Sequence, residues 1–163
     1  MREQNIEIIV RRVGPDDSAL LLSWKNDPGA RRNSLVPKPV AQRDHDAWFH
    51  VVTSSDQNLI LLAEKLNNSS AASEPVGMCR FDLKNANTAR VSINLSPTWR
   101  GGGLARSVLT ACLKEFHREY RKVDCVIAEI LPGNIASQRI FFSVGFRRKN
   151  NLQGHELWGK YSL

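Results

Sequence analysis

Two groups of residues in this chain have types and spacings suited to chemistry. The first is Glu129, the one ionisable side chain within Val126-Ile127-Ala128-Glu129-Ile130-Leu131. Apolar, buried surroundings raise a carboxylate's pKa toward working pH, which suits a general base. A strand-end Glu paired with a nearby Arg is the structural alternative. The second is Arg100-Gly101-Gly102-Gly103-Leu104-Ala105, which follows the alternating run Val91-Ser92-Ile93-Asn94-Leu95. After it, Leu104, Val108, Cys112 and Phe116 recur at helical spacing, with Ala105 and Leu109 beside them. A glycine-rich turn that opens a helix is an anion site. Its N–H groups lack intrahelical partners, the helix dipole adds positive charge, and glycine lets a bulky pyrophosphate come close to the backbone.

The elements that must position these groups can be read along the chain. Residues 6–10 alternate as a first strand. Pro15-Asp16-Asp17 starts a helix with Leu20, Leu21, Leu22 and Trp24 on its buried side, and Asn26-Asp27-Pro28-Gly29 ends it. Residues 31–39 read as irregular, and Gln42 to Val52 as a second helix. Leu59 to Glu64 reads as a strand, followed by a polar loop over 67–73. Val76 to Leu83 and Ala89 to Leu95 form a hairpin around Lys84-Asn85-Ala86-Asn87. A long helix is predicted from Gly101 to Arg121, a strand covered on both faces from Val123 to Leu131, and a helix from Asn134 to Val144. The last strands fall at 146–148 and 156–161.

At 163 residues the chain fits one domain, here taken as 1–163, and its 42% hydrophobic content can fill a core. No apolar run approaches a membrane span or a signal peptide, which implies a cytoplasmic protein with no membrane partner. Cys79, Cys112 and Cys125 lack metal-like spacing and read as reduced, buried hydrophobes, and no metal is expected. The net charge of +7 is spread in small clusters, Arg11-Arg12, Arg31-Arg32 and Arg147-Arg148-Lys149. One phosphorylated ligand accounts for such charge with a single site, so nucleic acid is the weaker candidate partner.

The glycine turn lacks the Gly-Lys-Ser/Thr ending of a nucleotide P-loop, and Arg106 stands where a dinucleotide fingerprint needs a small residue. It resembles the acetyl-coenzyme A loop of the GNAT (Gcn5-related) N-acetyltransferase superfamily. Asn134-Ile135-Ala136-Ser137, followed by Phe141-Phe142-Ser143-Val144-Gly145-Phe146, resembles that family's next block at the matching distance. The resemblance covers roughly the C-terminal half. It implies an α/β fold: a mixed, mostly antiparallel twisted sheet of about seven strands flanked by helices and splayed between the fourth and fifth. It also implies acetyl transfer from acetyl-CoA to a primary amine. The cofactor would be held by Arg100, Gly101, Gly102, Gly103, Leu104 and Ala105. The Leu95 backbone N–H would meet the thioester oxygen, and Asn134 the pantetheine arm, unless Asn134 is only a helix cap. Glu129 stands five residues before Asn134, where several family members carry a base. Phe141 occupies the position of the family's usual Tyr acid. Either the thiolate then leaves unaided, or another donor such as Tyr161 or a water serves.

The acceptor side carries Trp24-Lys25-Asn26-Asp27, Arg31-Arg32-Asn33-Ser34, His45 and Trp48-Phe49. These resemble two family branches, the nucleotide-linked amino-sugar N-acetyltransferases of the pseudaminic-acid type and the RimJ/RimL-type enzymes that acetylate protein N-termini. For the first, Arg31 or Arg32 would hold a diphosphate and Trp48 would stack on a sugar or base, with His45 nearby. Core packing is the competing role for Trp48, and capping for His45. A non-catalytic acyl-CoA-binding protein is a further alternative, and a homodimer is left open.

Overall fold

Seven short strands join in one sheet whose middle is pulled open. The computed structural model describes residues 6–66 and 72–161. Its strands are β1 (Ile8–Arg12), β2 (Asn58–Leu66), β3 (Ser73–Leu83), β4 (Thr88–Leu95), β5 (Cys125–Ile130), β6 (Arg147–Leu152) and β7 (His155–Tyr161). Its helices are α1 (Ser18–Asn26), α2 (Pro28–Arg32), α3 (Gln42–Thr53), α4 (Ala105–Glu119) and α5 (Ile135–Ser143). The strand order is β1-β2-β3-β4-β5-β7-β6, with β4 and β5 parallel and every other pair antiparallel. This is the fold that the resemblance implies.

The sheet is covered on both faces, which is why β2 is apolar at consecutive positions. Leu59, Leu61 and Ala63 join Phe81, Val91, Val126, Ala128 and the α4 residues Val108, Leu109, Cys112 and Phe116 in the larger core. Phe81 and Phe116 stack at 4.2 Å across the β3–α4 contact. Ile60 and Leu62 turn the other way, onto Leu21 and Trp24 of α1 and Phe49 and Val52 of α3. Each such fully buried Leu or Phe contributes about 1.5–3 kcal/mol of transfer free energy.

Three expectations need correction. The irregular stretch from 31 begins inside α2, because Asp27 caps it through Ala30 N at 3.0 Å and Pro28 is pre-set for the first helical position. The long helix starts at Ala105 rather than near Gly101, because Gly101 and Gly103 adopt φ of 77°. Of the expected polar loop, 67–71 lies outside the described residues and Ser73 is already strand.

The feature that matters for function is the β4–β5 seam. The two strands pair only over Thr88–Arg90 and Cys125–Ile127. Beyond that, β4 continues to Leu95 on β3 alone and β5 continues to Ile130 on β7 alone. The sheet therefore splays, and the unpaired halves border a gap at the end of β4 where the glycine turn begins.

Candidate active site

The glycine turn is preceded by a single 3₁₀ turn at Pro97–Trp99. A side chain added at Gly101 or Gly103 would meet nothing within 4 Å, so both face open space. Their left-handed backbone turns successive N–H groups to one side, a conformation only glycine adopts cheaply. Leu104, the N-cap residue of α4, offers no side-chain cap. Across this stretch the close backbone hydrogen bonds are those of Gly102 N–H to the Trp99 carbonyl at 3.3 Å and Val108 N–H to the Leu104 carbonyl at 2.9 Å, which leaves N–H groups between them for a ligand. Leu104 and Ala105 are themselves buried in the core and fix the helix end in place. The turn therefore fits a pyrophosphate: room for it, several unpartnered N–H donors and the positive end of a 15-residue helix.

Leu95 ends β4 at the edge of the gap. Backbone groups alternate direction along a strand. Ser96 donates to Val76 O on the β3 side, and the Asn87 carbonyl accepts from Cys125 on the β5 side. Odd-numbered residues of β4 thus face β5, and the Leu95 N–H is directed into the splay. The Leu95 carbonyl, directed the same way, accepts from Arg100 Nη2 at 3.1 Å.

That contact redirects one expected ligand. The Arg100 guanidinium is bonded to the Asp27 carboxylate, to Asn94 Oδ1 at 3.4 Å and to the Leu95 carbonyl, so this side chain is already engaged within the protein. Arg100 and the Ala30 N–H together hold the Asp27 carboxyl below the usual carboxylate range. Arg100 thereby ties the α1–α2 corner to the end of β4.

Glu129 sits on β5 two residues past the last β4 pairing, with its side chain 20% exposed. Its surroundings are not the apolar ones expected. Arg90 Nη1 donates to Glu129 Oε2 at 3.2 Å, and Arg90 Nη2 donates to Asp82 Oδ2 at 3.0 Å. Asp82 Oδ1 in turn accepts from Arg80 Nε at 2.7 Å and Asn58 Nδ2 at 2.6 Å. A row of alternating charge thus crosses β3, β4 and β5 on the face shared with α3. The Arg80 guanidinium lies 5.1 Å from the centre of the Trp48 ring, which closes the row at the α3 end. Arg80, Asp82 and Arg90 escaped the sequence reading. The hairpin contained a signal for two of them, since pairing Leu83 with Ala89 places Asp82 opposite Arg90.

Other expected residues fall in several places. Asn134 caps α5, its Oδ1 accepting from Ser137 N at 3.1 Å, which leaves Nδ2 to donate elsewhere. Phe141 is buried, edge-on to Phe146 at 4.9 Å, and has no proton to give. Tyr161 is no alternative donor: it is 61% exposed and pairs with Cys125, at the end of β5 away from Glu129. His45 is 3% exposed and donates from Nε2 to the Ser18 carbonyl at 3.0 Å, against Trp48 and Phe49, so it braces α3 on α1 instead of facing a substrate. Arg31 donates to the Pro37 carbonyl at 2.9 Å, and Arg32 is exposed at the end of α2. A side chain added at Gly29 would meet both Arg100 and Arg32 within 3.7 Å, so these two cations share one corner.

Residues 7–147 match the family model described as an acetyltransferase (GNAT) domain. The chain is 26% identical over 148 residues to the uncharacterized protein MJ1062 of Methanocaldococcus jannaschii, covering 89% of this chain but only 29% of that protein. Among solved structures, a domain from the same organism superposes with a TM-score of 0.82 at 20% identity, covering 97% of this chain and all of that one. Spermidine N-acetyltransferase from Vibrio cholerae, crystallised with CoA and spermine, gives a TM-score of 0.79 at 11% identity, over 94% and 95% of the two chains.

Proposed function

Because this chain belongs to the GNAT acetyltransferase family, we propose that it moves an acetyl group from acetyl-CoA to a primary amine at the gap between β4 and β5. The observation that carries this reading is the splay itself. It supports the reading because Leu95 N–H is directed into the gap, the glycine turn follows it in the chain, and Glu129 lies on the unpaired half of β5. Acetyl-CoA supplies the activated acyl group and the thiolate leaving group. The chain's own residues do the rest. The N–H groups of Gly103, Leu104 and Ala105 hold the pyrophosphate, and the Asn134 amide steadies the pantetheine arm. Leu95 N–H donates to the thioester oxygen as it gains charge. Glu129 takes the proton from the amine, directly or through one water. Phe141 packs beneath the acyl end, so the thiolate leaves without a side-chain acid.

The acceptor we propose is an amine that also carries an anionic group, and specifically a nucleotide-linked amino sugar. Arg32 is exposed at the end of α2 beside Arg100, while the acids Asp27, Asp82 and Glu129 are each already ion-paired with Arg100, Arg80 or Arg90. Among the described residues no ion pair engages Arg32, so this corner favours a diphosphate over a polycation. Trp48, held by Arg80, offers a ring to cover a sugar or base. The protein would act in the cytoplasm, and no described helix is long and apolar enough to cross a membrane. The test is a side-by-side rate comparison of amino-sugar nucleotides, short peptides with free N-termini, and polyamines. Turnover of sugar nucleotides, with KM raised at least tenfold by removing Arg31 and Arg32 together, is expected. Turnover of peptides alone would put the RimJ/RimL-type reading in its place.

A further inference from the structure

The Arg90–Glu129 ion pair lies at the vertex of the splay. Arg90 is the last residue of β4 to pair with β5, and Glu129 is the second residue of β5 beyond that pairing. The backbone ladder that would otherwise fix the relation of these two strands has ended there. What spans the gap is one guanidinium, using separate nitrogens for two carboxylates: Nη2 on Asp82 and Nη1 on Glu129. Its planar fork keeps those two directions rigid, which a lysine ammonium would not. Asp82 is itself fixed by Arg80 and Asn58, so Arg90 is anchored from the β3 side. Glu129 Oε2 is thereby occupied, and no hydrogen bond among the described residues engages Oε1.

We infer that Arg90 is the positioning residue of this site, anchored by Asp82 and holding Glu129 across the β4–β5 gap with Oε1 turned to the acceptor. This rests on the reading of Glu129 as the base. Arg90 touches neither acyl donor nor acceptor in this role; it acts through the carboxylate. The groups that face Glu129 are few. Arg90 meets it from β4, and on β7 its paired neighbour is Leu157, with His155 two positions along. Removing Arg90 therefore removes the cation bonded to Glu129. The carboxylate then loses the contact that fixes it.

The test is a kinetic double-mutant cycle on Arg90 and Glu129, read as kcat against pH. Arg90→Met should lower kcat by about ten- to a hundredfold, the range expected when a catalytic group is displaced, and leave the KM for acetyl-CoA unchanged. Arg90→Lys, with the charge but without the fork, should recover part of the rate. In the Glu129→Gln background, Arg90→Met should have no further effect beyond about twofold. If Arg90→Met does not fold, Arg90→Gln carries the same expectations. Rate losses that multiply in the double variant, or no recovery with Arg90→Lys, would overturn the positioning role while leaving Glu129 as the base. A Glu129→Gln enzyme with near-normal rate and an unchanged limb would instead overturn the base itself, and that result needs no Arg90 variant to be seen.

Discussion

Glu129 shows how a residue can be identified correctly by its exceptional character and still have its surroundings misread. It is the one charge in an apolar strand, which drew attention to it, but its carboxylate meets Arg90, 39 residues earlier in the chain. Strand pairing, not local composition, brought them together. Glu129→Gln keeps the shape and removes the basicity. Its kcat should fall by about 10²–10⁴-fold, the range of acid–base groups, with the acidic limb of the pH–rate profile lost. Phe141 makes the complementary case. It occupies the position of the family's tyrosine, yet its ring is buried against Phe146. Phe141→Leu should lower Tm, as large-to-smaller core changes do, and lower kcat by less than about tenfold. A loss of several hundredfold in a folded variant would assign the ring a role not described above. His45 carries the opposite lesson, because spacing on α3 placed it beside Trp48 without revealing which of the two would be sealed under α1.

At the scale of elements, the hairpin, the central helices and the buried strand were legible because period and turn residues agree with tertiary burial. Val76 to Leu83 and Ala89 to Leu95 fall within β3 and β4, and the acid-led helix from Pro15 becomes a 3₁₀ turn running into α1. The short helix α2 was missed because Asn26-Asp27-Pro28-Gly29 reads equally as a helix end and a helix start. The splay was not legible from periodicity, since no local pattern marks where two strands whose paired residues stand 37 positions apart stop pairing, and it came from the family resemblance alone. The glycine turn belongs to this scale too. Gly103 has φ of 77°, a conformation costing a side-chain-bearing residue about 1–2 kcal/mol, and its open face is where the pyrophosphate is proposed to lie. Calorimetry on Gly103→Val should show acetyl-CoA affinity reduced at least tenfold while the far-UV spectrum is unchanged. Unaltered affinity would move the cofactor elsewhere.

Across the whole molecule, much of the basic charge is engaged by the protein itself. Arg147 lies over Phe142, Arg148 pairs with Glu156 and Lys149 lies over Tyr161, so this cluster along the exposed edge strand β6 is dispersed. Arg11 joins Asp17 at 2.7 Å and Glu64 at 3.1 Å, fastening the start of α1 and the first strand to β2. The Arg11 guanidinium, with the Gly14 N–H, holds the Asp17 carboxyl below its ordinary value. A carboxylate depressed in the folded state stabilises above its unfolded pKa and loses that contribution as pH falls through the folded value. Asp17→Asn should therefore lower Tm at neutral pH, and the gap from the unsubstituted protein should close below about pH 4. A gap that persisted into acid would mean the site acts through packing rather than charge. The reading as a whole is that this fold performs acetyl transfer and does more than bind the donor. Thiol release from acetyl-CoA, measured with and without a nucleotide-linked amino sugar and repeated with Glu129→Gln, tests that most directly. Release that depends on the amine and falls by about 10²–10⁴-fold in the variant is the predicted result. Acetyl-CoA that binds but releases thiol no faster with any amine would contradict it, and would leave a binding protein on an acetyltransferase fold.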